Sequence, residues 1–187
     1  LEEGDSGSGL WRYDGKSVTN ITIGERSEPS RPRSLTVMEN VLYFSASVNG
    51  GNKLWKWNGQ STEIIRIGNN DSPYPWSFCQ LENDLFFTAL DKNKNRQLWK
   101  YDGISVIQIE MGQIENPYPE HLTPFRDNLF FTVKDNDNRQ LWRYDGLSVS
   151  RINVRLIDNP YPWELTPVGN ELFFTALDEK GNRQLWV

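Results

Sequence analysis

The chain has 187 residues, a length that suits one well-packed domain, and a formal net charge of −5 from 20 basic and 25 acidic residues spread along it. No basic stripe offers itself to nucleic acid or an anionic membrane, and apolar runs such as Leu85-Phe86-Phe87 and Leu172-Phe173-Phe174 fall far short of a bilayer span. One cysteine, Cys79, excludes an internal disulfide and a cysteine-rich zinc site while leaving the compartment open.

The first feature in chain order is "EGDSGSG", from Glu3 to Gly9. It resembles the nucleophile loop of chymotrypsin-like proteases, a resemblance that would make Ser6 the nucleophile and the N–H groups of Gly4 and Ser6 its oxyanion donors. In that family the histidine and aspartate precede the serine. Here only five residues do, and the sole histidine, His121, stands downstream where other copies of a repeat carry Ser34, Ser77 and Glu164. Without a general base a serine hydroxyl is a poor nucleophile at neutral pH. Residues 1–9 therefore read as a flexible Gly/Ser linker, with no catalytic residue assigned and a serine-protease remnant using Ser6 as an alternative.

From residue 10 onward the pair Leu-Trp recurs at Leu10-Trp11, Leu54-Trp55, Leu98-Trp99, Leu141-Trp142 and Leu185-Trp186, at spacings of 44, 44, 43 and 44. The repeats run 10–53, 54–97, 98–140 and 141–184, with a partial copy at 185–187. A period in the forties with recurring aromatic and Gly signals is the mark of stacked supersecondary units, propeller blades first among them. One period predicts four strands and no helix; over 121–154 these are 121–125, 128–133, 140–144 and 148–154. Asp145-Gly146 joins two of them, and Asp14-Gly15, Asn58-Gly59 and Asp102-Gly103 repeat the signal, read as turns that need positive φ at residues which tolerate it. Strands such as "LFFTA" and "LWRY" are apolar on both faces, so each sheet must be covered on both faces.

The fold class expected is all-β, a β-propeller of about four four-stranded antiparallel blades built from a 44-residue repeat. The chain starts at a third strand and ends at one. Residues 10–23 are thus expected to complete the blade whose inner strands lie at 163–176, giving a closed monomeric ring. Leu185-Trp186-Val187 competes for the place of Leu10-Trp11-Arg12, so either this duplicate frays or a larger ring is completed by a second copy.

Between blades stand "SPYPWSF" (72–78), "NPYPEHL" (116–122) and "NPYPWEL" (159–165), with "PSRPRSL" (29–35) in the first copy. Paired prolines stiffen each connection and hold Tyr74 and Trp76, Tyr118, and Tyr161 and Trp163 near one face of the ring. Rigid aromatics with polar handles suit a ligand, and they suit packing between blades equally well. Arg31 and Arg33 make the first loop the odd one, either silent or selective for an acidic group. The turn "DKNKN" (91–95) has oxygen ligands at a calcium-like spacing, as do Asp135 and Asp137. Neither has the central Gly and distal Glu of a calcium loop, so ordinary hairpins are expected, with no metal and no cofactor. Arg96, Arg139 and Arg183 read as solvated or paired at blade edges, and Cys79 as a small buried hydrophobe.

"ELFFTALDEKGNRQLW" (171–186), taken with "LWRYDG" (141–146), resembles bacterial proteins built from the ELWxxDGT repeat, with Gln97, Gln140, Gln184 or Lys53 in place of the first Glu. The likeness spans 10–187 and implies a propeller scaffold of cell-surface or exported proteins, without assigned chemistry or transferable site residues. The function expected is non-enzymatic recognition of a glycan or protein through the Pro-Tyr-Pro loops, without nucleic acid or membrane insertion, as a monomer or ring-completing homodimer. A purely structural, self-assembling repeat module is the alternative.

Overall fold

The computed structural model describes residues 8–24, 30–114, 116–135, 137–154 and 158–187. Ser6 and Gly4 lie outside the described residues, as does all of the 1–9 segment except Ser8 and Gly9.

The described residues are strand, turn and loop, without helix. β1 (Leu10–Tyr13) and β2 (Val18–Ile21) form a two-stranded sheet. Three four-stranded meanders follow: β3 (Arg33–Met38), β4 (Val41–Val48), β5 (Gly51–Trp57) and β6 (Thr62–Ile65); β7 (Trp76–Leu81), β8 (Asp84–Leu90), β9 (Arg96–Tyr101) and β10 (Val106–Ile109); β11 (Pro119–Phe125), β12 (Asn128–Asp135), β13 (Asn138–Tyr144) and β14 (Val149–Ile152). A three-stranded sheet of β15 (Trp163–Val168), β16 (Glu171–Leu177) and β17 (Arg183–Trp186) ends the chain. All pairings are antiparallel between strands adjacent in sequence.

Two-residue alternation explains the stacking. On β8, Leu85, Phe87 and Ala89 join Tyr43, Leu54 and Trp99 in the core shared with the preceding sheet. Phe86 points the other way, into a core with Leu129, Phe131 and Tyr144 of the following sheet. Each such ring or branched chain contributes about 1.5–3 kcal/mol of burial. A third cluster, with Leu141, Phe174 and Ala176, joins the β11–β14 sheet to β15–β17.

The hairpin turns work differently from the sequence reading. In 102–105 only Gly103 takes positive φ, at 92°. Asp102 acts through its carboxylate, which accepts the N–H groups of Ile104 at 2.8 Å and Ser105 at 2.7 Å. Those bonds hold its pKa below the usual carboxylate value, and Asp14 and Asp145 repeat the arrangement.

The expected ring closure by residues 10–23 is corrected. β17 takes the third-strand place beside β16, from Phe174↔Trp186 to Leu177↔Arg183. β1 and β2 instead pack through Leu10 and Ile23 on Phe44, Ala46 and Trp55 of the first four-stranded sheet. The reason is local: the turn from Asp178 to Asn182 brings 183–186 back at once, its Asp178 carboxylate binding the N–H groups of Lys180 and Asn182. A short closure costs far less entropy than recruiting a segment from the other end of the chain.

Candidate functional site

The inner strands β3, β7, β11 and β15 lie side by side in that order. Each is entered by a proline loop whose backbone is left-handed at two non-glycine positions three residues apart. The first are Arg31, Tyr74, Tyr118 and Tyr161, with φ of 44°, 48°, 43° and 47°. The second are Ser34, Ser77, His121 and Glu164, at 53° to 55°. A bulky residue in this region costs about 1–2 kcal/mol, and a following proline disfavours helical backbone there as well. At the second position each inner strand carries a bulge: the register slips by one residue between Arg33 and Thr36, Trp76 and Cys79, Glu120 and Thr123, and Trp163 and Thr166. Bulges re-aim side chains. Here they leave Tyr74 51%, Trp76 42%, Tyr118 38% and Trp163 39% exposed, although large aromatics usually finish buried.

Arginines hold this aromatic row. Arg96 donates from Nη1 to Tyr74 O at 3.1 Å and Thr88 Oγ1 at 3.2 Å, with its guanidinium 5.3 Å from the Trp76 ring and 5.6 Å from the Tyr118 ring. Arg139 donates to Thr132 Oγ1 at 2.9 Å, pairs with Glu120, and lies 5.3 Å from the Tyr161 ring and 5.1 Å from the Trp163 ring. Both arginines are buried, so of the two expected states, solvated or paired, solvation is excluded for them, and Arg139 is paired with Glu120. A guanidinium clamped between aromatic faces keeps its charge while its hydrogen bonds go to fixed acceptors. Arg183 repeats the pattern at an exposed position, bonded to Tyr161 O and Thr175 Oγ1.

His121 packs its ring 4.1 Å from that of Trp163, with Nδ1 3.1 Å from Thr132 Oγ1. Burial, reinforced by the Arg139 charge and opposed by Glu120, lowers its pKa below the ordinary histidine value. Cys79 is partly buried, and burial pushes its thiol up to about 12. The calcium-like turn at 91–95 is an ordinary hairpin, Asp91 Oδ1 accepting the N–H groups of Asn93 and Asn95.

The first copy breaks the pattern. Where Arg96, Arg139 and Arg183 stand at or next to the start of their third strands, it has Asn52, and where Trp76, Glu120 and Trp163 stand, it has Arg33. A pocket of about 200 Å³ opens there, lined by Arg33, Ser45, Asn52, Tyr74, Trp76 and Arg96 among others. Three residues singled out from sequence, Tyr74, Trp76 and Arg33, thus meet at one pocket. Tyr118 is drawn instead to Arg96, and Tyr161 with Trp163 to Arg139. Arg31 is exposed and does not line the pocket; its N–H donates to Ser8 O. Sequence reasoning missed Arg96, Asn52 and Ser45. The signal was present in the break of the Arg-Gln-Leu-Trp register at Asn52-Lys53-Leu54-Trp55.

No family model and no curated protein matches the chain. Solved structures do. The computationally designed Ika4 protein is 12% identical with a TM-score of 0.54, covering 89% of this chain and 95% of its own. The designed Ika8 protein is 13% identical with a TM-score of 0.52, covering 91% of this chain and 52% of its own. TolB from Acinetobacter baumannii is 15% identical with a TM-score of 0.51, covering 90% of this chain and 45% of its own. The fold is β-propeller-like and all-β. The chain spans about half the length of Ika8 and of that TolB.

Proposed function

We propose that this chain is a non-enzymatic binding module of the ELWxxDGT-repeat kind, recognising a glycan or a protein through its proline-loop face. One observation carries the reading: four equivalent loops hold non-glycine residues in left-handed backbone, and the three with tyrosine present partly exposed rings beside the inner strands. Backbone strain repeated at a surface row of aromatics is the kind of feature that functional sites retain. The non-enzymatic part is supported by His121, whose ring is packed on Trp163 and whose Nδ1 meets the Thr132 hydroxyl, a group that Arg139 already engages.

The structural reading is favoured at one place. At the junction of the third four-stranded sheet with β15–β17, Trp163 is flanked by Arg139 and His121, so its ring already works as packing. Ligand contact therefore centres on Trp76 and Tyr74. Arrays of glycans and surface proteins, probed with the chain and its Trp76→Ala and Trp163→Ala variants, test this division. Trp76→Ala should abolish binding with little change in melting temperature, and Trp163→Ala should lower the melting temperature. Binding that survives Trp76→Ala overturns the reading.

A further inference from the structure

We propose that the pocket between the first and second four-stranded sheets is a subsite for an acidic sugar, a uronate whose carboxylate is held by Arg33 and Arg96. The inference rests on the binding role above and specifies its ligand.

The third copy supplies the template. Its Arg139 guanidinium is held by four groups: Thr132 Oγ1, the Glu120 carboxylate, and the rings of Tyr161 and Trp163. The first copy keeps the surroundings in altered form. Ser45 replaces Thr132, Tyr74 and Trp76 correspond to Tyr161 and Trp163, and Asn52 replaces the arginine itself. The shorter amide does not fill the space that a guanidinium takes in the third copy, and the pocket of about 200 Å³ results.

The charge is inverted as well. Arg33 stands where Glu120 stands in the third copy, so a site that holds a cation there is bordered here by two guanidiniums. Arg33 has no acidic partner among the described residues, and the Arg96 guanidinium bonds to neutral groups, Tyr74 O, Thr88 Oγ1 and the Tyr118 side chain. Glu120 acts on Arg96 only at longer range, its ion pair being with Arg139. A carboxylate is the complementary group, since guanidinium forks match its geometry.

Size and lining specify the rest of the ligand. An apolar cavity of about 150 Å³ admits a benzene ring, so this pocket suits one six-membered ring. Trp76 and Tyr74 offer apolar faces with polar rims to such a ring, and Ser45 and Asn52 offer partners for hydroxyls. Asn52 Oδ1 is buried without a hydrogen-bond partner among the described residues, a cost that a hydroxyl donor offsets once the amide turns toward it.

Titration calorimetry with glucuronate, glucose and N-acetylaspartate tests the proposal on the chain and on Arg33→Ala and Asn52→Arg. Glucuronate should bind at least about tenfold more tightly than glucose, the equivalent of one charge-assisted contact. Arg33→Ala should remove that preference. Asn52→Arg should abolish binding by restoring the side chain that the other copies carry, with circular dichroism confirming the fold. Equal binding of glucose and glucuronate overturns the carboxylate assignment, and glucuronate binding that survives Asn52→Arg overturns the location. N-acetylaspartate binding without glucuronate overturns the sugar in favour of an acidic protein side chain. Should no acidic probe bind while array signals still depend on Trp76, the subsite fails and the loop-face reading stands. If the arrays are silent too, both fail.

Discussion

Arg139 and Glu120 form an ion pair within the third four-stranded sheet, with only 7% and 18% of their side chains exposed. Glu120 occupies the loop position that Trp76 and Trp163 fill elsewhere, so one copy of the repeat has exchanged an aromatic contact for a charged one. Removing a single partner leaves the other charge buried, which typically costs about 3–5 kcal/mol. Arg139→Ala should lower the urea unfolding free energy by about that amount. Arg139→Lys should recover only part of it: the contacts to Glu120 and Thr132 run from the single nitrogen Nη1, which an ammonium can mimic, but an ammonium has no flat face to lay on the Tyr161 and Trp163 rings. A loss below about 1 kcal/mol for Arg139→Ala would mean that water replaces the pair freely.

His121 gives a pH dependence with a definite sign. Its pKa in the folded protein lies below the ordinary 6.5 because of burial and the Arg139 charge, with Glu120 opposing. The unfolded chain therefore takes up the proton first. Stability should be full above that ordinary value, fall as the pH drops through it toward the folded pKa, and then level off. Melting curves between pH 8 and 5 should show this step, and His121→Asn should flatten it. A separate loss is expected below about pH 4, where the hydrogen-bonded Asp14, Asp102, Asp145 and Asp178 protonate, their pKa values all lying below 3.8.

Ser77 pays a backbone strain that a glycine would not. With φ of 55° and no side-chain hydrogen bond among the described residues, it should be replaceable by Gly with a gain of about 0.5–1 kcal/mol, the relief of a left-handed conformation less the added freedom of the unfolded chain. Thermal denaturation of Ser77→Gly checks this. A fall in melting temperature would show that the bulge is held by side-chain packing instead.

The four-strand repeat was readable because its causes are local. Alternating apolar residues fix the strands, and the Asp-Gly and Asp/Asn turns fix the hairpins; the strands expected at 121–125, 128–133 and 140–144 lie within β11, β12 and β13, while the one expected at 148–154 is strand only over Val149–Ile152. The Tyr and Trp of the proline loops were legible as candidates for the same reason. What the arginines do was not, because a guanidinium's partners come from the neighbouring blade and no spacing within one repeat reveals them. Asn52 stood out only by comparison with Arg96, Arg139 and Arg183. Ring closure failed for a related reason: composition made Leu10-Trp11 and Leu185-Trp186 equal competitors, and the short turn from Asp178 decided between them.

That competition has its own consequence. Trp186 packs in the last interblade cluster and donates from Nε1 to Ala176 O at 3.2 Å, while neighbouring Leu185 is 70% exposed. Trp186→Ala should destabilise the β15–β17 sheet by about 2–3 kcal/mol, and Leu185→Ala should change little. Hydrogen exchange along β16 reads the difference. Equal protection in both variants would mean that β17 contributes no stability to its sheet.

The acidic-sugar subsite on the loop face is tested most directly through the indole N–H resonances of the eight tryptophans during a glucuronate titration. Trp76 lines the pocket. The indoles of Trp99 and Trp186 are bonded inside their sheets to Ala89 O and Ala176 O. The account predicts a saturable shift of the Trp76 resonance that Asn52→Arg abolishes and Arg33→Ala moves to about tenfold higher glucuronate, with Trp99 and Trp186 unmoved. A titration that leaves Trp76 in place, or moves all the indole signals together, would contradict it.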